Sequence, residues 1–224
     1  ETLSYDVVSF NTGSGVPFPV PENARTIAFP VKPIKNLSAA RTRIIDGLKE
    51  KRLEIAIVGG GPAGIEIAGN VRRLVRRSGG AARIQLHTGG LLAAGHHPGV
   101  RRRALAALEE RVVSVRENRR VEGIGGRFIR FADGTVDDVD VVFLAAGVKP
   151  SGLFRSSGLP TDDAGGLLVN DRLQSTAYPE IFGGGDCIAF APGPLPKIGI
   201  HAVRQNPILL NNLTAWLTAR RELS

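Results

Sequence analysis

A short apolar run that breaks into a glycine cluster and leaves it as a helix constrains this chain more than any other feature. In IAIVGGGPAGIEIAGNV, Ile55 to Val71, the residues Gly59, Gly61 and Gly64 fall on a G-x-G-x-x-G spacing. Leu53 to Val58 before them reads as a compact strand. Ala63 to Arg77 after them reads as a helix, with Ile67, Ala68, Val71 and Leu74 on one face. In that setting each glycine answers a steric demand. Gly59 permits the tight turn, Gly61 admits a pyrophosphate close to the backbone, and Gly64 lets the helix pack on the strand. Unpaired N–H groups and the positive end of the helix dipole then face the phosphates. The segment predicts a dinucleotide site formed by Gly59, Gly61, Pro62, Ala63 and Gly64, with a purely structural glycine turn as the alternative.

The rest of the chain alternates in the same way. Tyr5 to Gly15 reads as a buried strand closed by a Gly/Ser turn, and the prolines at 17, 19, 21, 30 and 33 read as a linker. Ser38 to Lys51 is predicted helical. Ala82 to Thr88, Val112 to Arg116 and Val141 to Ala145 are predicted strands, and Val100 to Arg111 a helix. Asp133-Gly134 marks a hairpin between Arg127–Phe131 and Thr135–Val139. Ile181 to Asp186 is a strand entering a glycine turn, and Gly199 to Ala219 a final helix. Such alternation predicts parallel α/β layering.

Composition narrows the function classes. Apolar residues at 42% and charged residues at 22% are ordinary for a globular chain of 224 residues. Cys187 is single, so an internal disulfide framework and a multi-cysteine zinc site are excluded, and a reducing compartment fits. No apolar run is long enough to span a bilayer. His96-His97 has no Cys or carboxylate at ligand spacing, so no metal site is expected. The net charge of +8 rests on 23 arginines and six lysines. Aromatics at 5% argue against stacking on nucleic acid, and no nucleic-acid partner is expected. The clusters Arg72 to Arg77 and Arg101 to Arg103 read as a solvated face, with an anionic membrane surface as the alternative. The sequence has no Met and begins Glu1-Thr2-Leu3-Ser4, which leads us to expect a fragment.

The end of the second strand of the dinucleotide unit ordinarily carries an acid for the ribose hydroxyls. Here it reads Leu86-His87-Thr88-Gly89. Thr88 is the candidate for a ribose contact, and Arg83 the candidate for a 2′-phosphate.

Four blocks in order resemble the pyridine nucleotide-disulfide oxidoreductase superfamily, the two-dinucleotide-fold flavoproteins. They lie closest to its type II NADH:quinone oxidoreductases and apoptosis-inducing-factor-like reductases. YDVVSFNTGS (Tyr5 to Ser14) resembles the strand where the first FAD segment ends. The Gly59 motif resembles the nicotinamide-nucleotide fingerprint. DVVFLAAGVKPS (Asp140 to Ser151) resembles the strand closing that domain, and LQSTAYPEIFGGGDCIAF (Leu173 to Phe190) the second FAD fingerprint. The resemblance implies an α/β fold, a Rossmann-like nicotinamide-nucleotide domain inserted in a partial FAD-binding domain. Its implied boundaries are 1–50 for the end of the first FAD segment plus linker, 53–148 for the NAD(P) domain, and 149–224 for the second FAD segment.

It further implies FAD and NAD(H) as cofactors, with NADP(H) as the alternative, and hydride transfer from nicotinamide to flavin and on to a quinone. A disulfide reductase of the same superfamily and a non-catalytic nucleotide-binding module stand as alternatives. Ala146 and Gly147 would carry the nicotinamide. Thr12, Gly13, Gly185, Asp186, Lys197 and Ile198 would hold FAD. Glu66 would lie on the nicotinamide–flavin side, or would simply complement the dipole of the first helical turn. Gln205 would line the acceptor site, although Gly199-Ile200 stands where the quinone reductases carry Ala-Gln. Cys187 reads as a packing residue. The fragment is expected to be inactive alone, and the protein to be cytoplasmic with peripheral membrane contact as an option.

Overall fold

A computed structural model describes residues 3–218. In chain order its strands and helices begin with β1 (Val8–Phe10), β2 (Ala28–Pro30), α1 (Lys35–Glu50), β3 (Leu53–Val58) and α2 (Pro62–Arg77). There follow β4 (Ala82–His87), α3 (Pro98–Glu110), β5 (Val113–Arg116), β6 (Val121–Ile124), β7 (Phe128–Phe131), β8 (Val136–Asp138) and β9 (Val141–Leu144). The last are α4 (Leu153–Ser156), β10 (Leu167–Val169), β11 (Ile181–Gly183), β12 (Ile188–Phe190) and α5 (Gly199–Leu217). The chain divides into two compact units, Glu1–Gly15 with Val148–Ser224, and Val16–Gly147.

The Val16–Gly147 unit is built on a parallel sheet of order β2-β9-β3-β4-β5. β3 and β9 at its centre are largely apolar on both faces because both faces are covered, as parallel strands generally are. Along β3, Ile55 and Ile57 face α1, α2 and α3, where Ile44, Ala68, Val71 and Leu108 meet them. Ala56 and Val58 face the antiparallel sheet β6-β7-β8, against Val121, Ile129 and Phe131. β9 alternates likewise, Val141 and Phe143 toward the helices, Val142 and Leu144 toward the second sheet.

The Pro-rich passage expected to be a linker is part of this unit. Ala28 and Phe29 pair with Val142 and Phe143, so β2 is an edge strand, and an edge tolerates the Pro30 that ends it. Ala24 and Ile27 are buried in the same core. The unit therefore starts at Val16, well before the expected Leu53. The hairpin at Asp133-Gly134 gains a third strand, β6, that its Glu-Gly interior had concealed.

In the other unit β1 pairs in parallel with β11, and β10 with β12. Phe154, Leu167, Phe182 and Leu209 form its core. Trp216 of α5 stands edge-on to Phe182 at 6.1 Å and donates to the Asp6 carbonyl at 3.0 Å. Ala219, where the final helix was expected to end, lies outside the described residues.

Two glycines of α2 separate steric demand from mere composition. A Cβ on Gly64 would fall inside contact distance of the Gly59 carbonyl, whereas one on Gly69 meets nothing within 4 Å. Gly64→Ala should cost about 1–3 kcal/mol, and Gly69→Ala should be neutral or stabilising by up to about 1 kcal/mol. Thermal melting of the two variants checks this. Equal behaviour would contradict the packing described.

Candidate functional site

Four loops leave the carboxyl ends of β3, β4, β5 and β9, the edge at which open parallel sheets bind ligands. The β3 loop, residues 59–61, is determined from behind. Gly59 has φ +127°, and a Cβ there would strike the Ala145 carbonyl at the end of β9. A Cβ on Gly60 would meet Thr88 Oγ1 at 2.6 Å. In front, the loop is open: a Cβ on Gly61 meets nothing within 4 Å. α2 begins with Pro62 at its first position and Gly61 as its cap residue, and no side chain caps it. The first-turn N–H groups are thus left for a ligand, and an anion is the ligand they favour. Pro62, Ala63, Ala146 and Gly147 are all exposed, so the backbone around Gly61 can be approached closely. The sequence-predicted loop residues are brought together as a cradle that fits a pyrophosphate.

Beside the cradle lies a cleft of about 500 Å³, lined among others by Gly59, His87, Gly89, Arg120, Glu122 and Ala146. It spans the ends of β9, β3 and β4, so it has the reach a dinucleotide needs. Thr88, the expected ribose contact, is buried with its side chain under Gly60, and so supports the loop from below. Arg83 is at the opposite edge. It is the second residue of β4, paired with Glu54 at 3.9 Å, and four strand steps put it about 13 Å from the end of the strand. The expectation that it meets a 2′-phosphate fails on strand direction.

His87 was passed over by sequence reasoning. It is 1% exposed, and neither ring nitrogen has a hydrogen-bond partner in the structure. Its ring packs on Phe131 with centroids 5.1 Å apart, and the Arg119 guanidinium lies over the same phenyl at 3.8 Å. Burial pushes the imidazole down to about 4, against the pull of Asp137. A neutral, unpartnered imidazole therefore lines the cleft, and orphaned buried polar groups are uncommon enough to mark a site. Glu66 falls in the second turn of α2, one turn past the positive end of the dipole, so the expected complement to the first turn is not made. It is exposed in a groove shared with Arg73, Arg76 and Arg111.

In the other unit Gly185, Asp186, Lys197, His201 and Gln205 line one cleft of about 280 Å³. The Ser14 hydroxyl donates to Asp186 Oδ2 at 2.8 Å, which orients the carboxylate and ties it to the loop holding Thr12 and Gly13. Lys197 Nζ donates to the Ile188 carbonyl, and Ile198 is exposed as the cap residue of α5. Gln205, expected at the acceptor, is 7% exposed and takes the Gly185 N–H on Oε1 at 2.7 Å. It holds the glycine turn. Cys187 is fully buried, with Sγ against the carbonyls of Phe10 and Gly184, as a packing residue should be.

A family model described as pyridine nucleotide-disulphide oxidoreductase matches residues 1–212. The chain is 29% identical to ferroptosis suppressor protein 1 of Taeniopygia guttata, over 98% of this chain and 59% of that protein. It is 27% identical to demethylphylloquinone reductase NdbB of Synechocystis sp., over 98% of this chain and 56% of that one. The crystal structure of a FAD-dependent pyridine nucleotide-disulphide oxidoreductase from Desulfovibrio vulgaris matches with a TM-score of 0.73 at 26% identity, over 96% of this chain and 55% of its own. The chain spans less than two thirds of each of these three.

The burial of His87 has a consequence in acid. At pH 7 the side chain is largely neutral folded and unfolded, so its protonation contributes little to stability there. As pH falls below 6.5 the unfolded chain takes up a proton that folded His87 refuses until about pH 4. Stability is therefore lost across that window, by up to about 3 kcal/mol in total. Glu117, whose carboxyl is held below its usual range by the Leu92 N–H and by Arg101, loses its contribution only at lower pH. His87→Leu should lose less stability than the native chain between about pH 7 and pH 5, measured by denaturant unfolding. An identical loss would contradict the assignment.

Proposed function

The chain belongs to the pyridine nucleotide-disulphide oxidoreductase family, and from that premise we propose that it serves an NAD(P)H-dependent flavoprotein oxidoreductase whose electron acceptor is a quinone. FAD and a nicotinamide nucleotide are the cofactors of this family. The observation that carries the reading is the β3–α2 loop, closed behind by backbone carbonyls and open in front of Gly61.

FAD, when bound, supplies the two-electron relay between nicotinamide and acceptor. The chain supplies position. Gly61, Pro62 and Ala63 would hold the nucleotide pyrophosphate at the start of α2, with Gly59 and Gly64 keeping that loop close to β9 and to itself. Ala146 and Gly147 offer a surface poor in side chains at the end of β9, where the nicotinamide ring would lie. Thr12, Gly13, Gly185, Lys197 and Ile198 would line the FAD site. The Asp186 carboxylate would accept from a ribityl hydroxyl, in the orientation that Ser14 gives it.

The quinone is supported by the Synechocystis relative, a demethylphylloquinone reductase by name. It is supported also by α5, where Ile200, Val203, Leu210 and Leu217 are exposed at helical spacing. An exposed apolar stripe of that kind suits an apolar acceptor or the membrane that carries it. A cytoplasmic place with peripheral membrane contact completes the reading. Among the described residues no helix is long and apolar enough to cross a membrane.

Two measurements test this. Gly61→Val places its side chain in open space, so the variant should melt with the native chain yet bind NAD(P)H at least about tenfold more weakly, because the cradle is filled. The protein purified from its native cells should be yellow and should oxidise NAD(P)H faster when a soluble quinone is added. A colourless protein that takes up no FAD on reconstitution sinks the enzyme reading.

A further inference from the structure

The end of β4 is where a dinucleotide site distinguishes a ribose hydroxyl from a ribose phosphate, because the adenosine half lies across that strand while the pyrophosphate sits at the β3 loop. A carboxylate there selects the hydroxyl by accepting from it and by repelling a phosphate. This chain has none: the strand ends in Leu86 and His87, and Thr88 and Gly89 follow. The His87 imidazole is neutral, so it neither attracts nor repels a phosphate.

What occupies the place is a cation from elsewhere in the chain. The Arg120 side chain runs across Gly89, where a Cβ would lie 3.2 Å from Nε and 3.4 Å from the Arg120 Cβ. Arg120 is exposed and lines the same cleft as Gly59 and His87. Its neighbours are engaged: Arg119 with Asp137 at 3.2 Å, and Arg101 with both oxygens of Glu117 at 2.9 and 2.7 Å. No hydrogen bond or ion pair of the Arg120 guanidinium is found among the described residues.

The loop that carries Arg120 is fastened to the end of β4 through its backbone. The Thr88 N–H donates to the Arg116 carbonyl at 3.0 Å, the Arg119 N–H to the Thr88 carbonyl at 2.9 Å, and the Asn118 N–H to the Gly90 carbonyl at 3.2 Å. Glu117 takes the Leu92 N–H at 2.6 Å and so pins the same two segments again. These bonds fix Arg120 where the selecting acid is missing, with a free planar donor set that matches phosphate oxygens. Glu122 is the one carboxylate among the residues lining the cleft, and it comes from β6 rather than from β4.

We propose that Arg120 is the specificity-determining residue of the nucleotide site, that it binds the 2′-phosphate of the adenosine ribose, and that the chain therefore prefers NADP(H) to NAD(H). The proposal rests on the reading of the β3–α2 loop as a dinucleotide site.

The test is isothermal titration of the chain with 2′,5′-ADP and with 5′-AMP, which differ only in the phosphate in question. The first should bind at least about tenfold more tightly, the scale of one charge-assisted Arg–phosphate contact. Arg120→Gln should bring the two affinities together by weakening 2′,5′-ADP alone, and Arg120→Lys should keep part of the difference. Both variants should melt with the native chain, since the side chain is exposed and unpaired. Equal affinities in the native chain, or a preference that survives in Arg120→Gln, overturn the proposal while leaving the dinucleotide site intact. Failure of both ligands to bind overturns the dinucleotide reading and this proposal with it.

Discussion

Everything at the carboxyl edge of the parallel sheet depends on how closely three backbone segments approach there. The turn after β3 lies against the Ala145 carbonyl, and α2 lies against the turn at Gly64. No side chain fits at either contact. Sterics of this kind are not negotiable at the level of a methyl group, since packed interiors respond to one. The result is that the N-terminus of α2, the end of β9 and the end of β4 are drawn to one line. A dinucleotide needs that line: phosphates at the helix, and one nucleoside to either side of it.

Because these demands are made by backbone, they are written into residue types and were legible in the sequence. Gly59, Gly61 and Gly64 could be assigned separate duties before any coordinates, and the strand–helix alternation around them reads directly from apolar spacing. The central strands β3 and β9 are largely apolar on both faces and run into Gly59 and Ala145. What stayed hidden follows from weaker physics. β2 is three residues of edge strand inside a Pro-rich passage, and its membership of the sheet is decided by pairing with β9 rather than by its own pattern. β6 carries glycine at Gly123, and a register shift falls beside it. β10 and β12 are three-residue strands that pair with each other.

The site residues divide in the same way. Those set by the backbone could be read as candidates from residue type, and those set by strand direction or by long-range placement could not. Arg83 lies close to the motif in sequence but at the wrong end of β4. Arg120 lies far from it in sequence but is delivered to the right end by the loop after β5. Strand direction was knowable from the start, since parallel strands present their carboxyl ends together, and it would have removed Arg83. Gln205 matched a pattern by position, yet the Gly185 N–H claims its oxygen. His87 could be read only as a polar residue closing an apolar strand. Its isolation among Phe131, Val58 and Val121 is a property of the second sheet folding over it.

The electrostatics of the cleft follow from these placements rather than from the net charge of +8. Seven of the 23 arginines lie on α2 and α3, well away in sequence from the glycine loop. Arg120 lines the cleft beside Gly59. If the dinucleotide lies along the carboxyl edge of the parallel sheet as proposed, residue-resolved chemical-shift perturbation on the isotope-labelled chain will show it. Adding NADP⁺ should shift the amides of residues 59–61, 63–64, 88–90 and 145–147 and leave the outer faces of α1, α2 and α3 unmoved. Shifts centred on the arginine-lined groove between α2 and α3, with the glycine loop silent, would contradict the account.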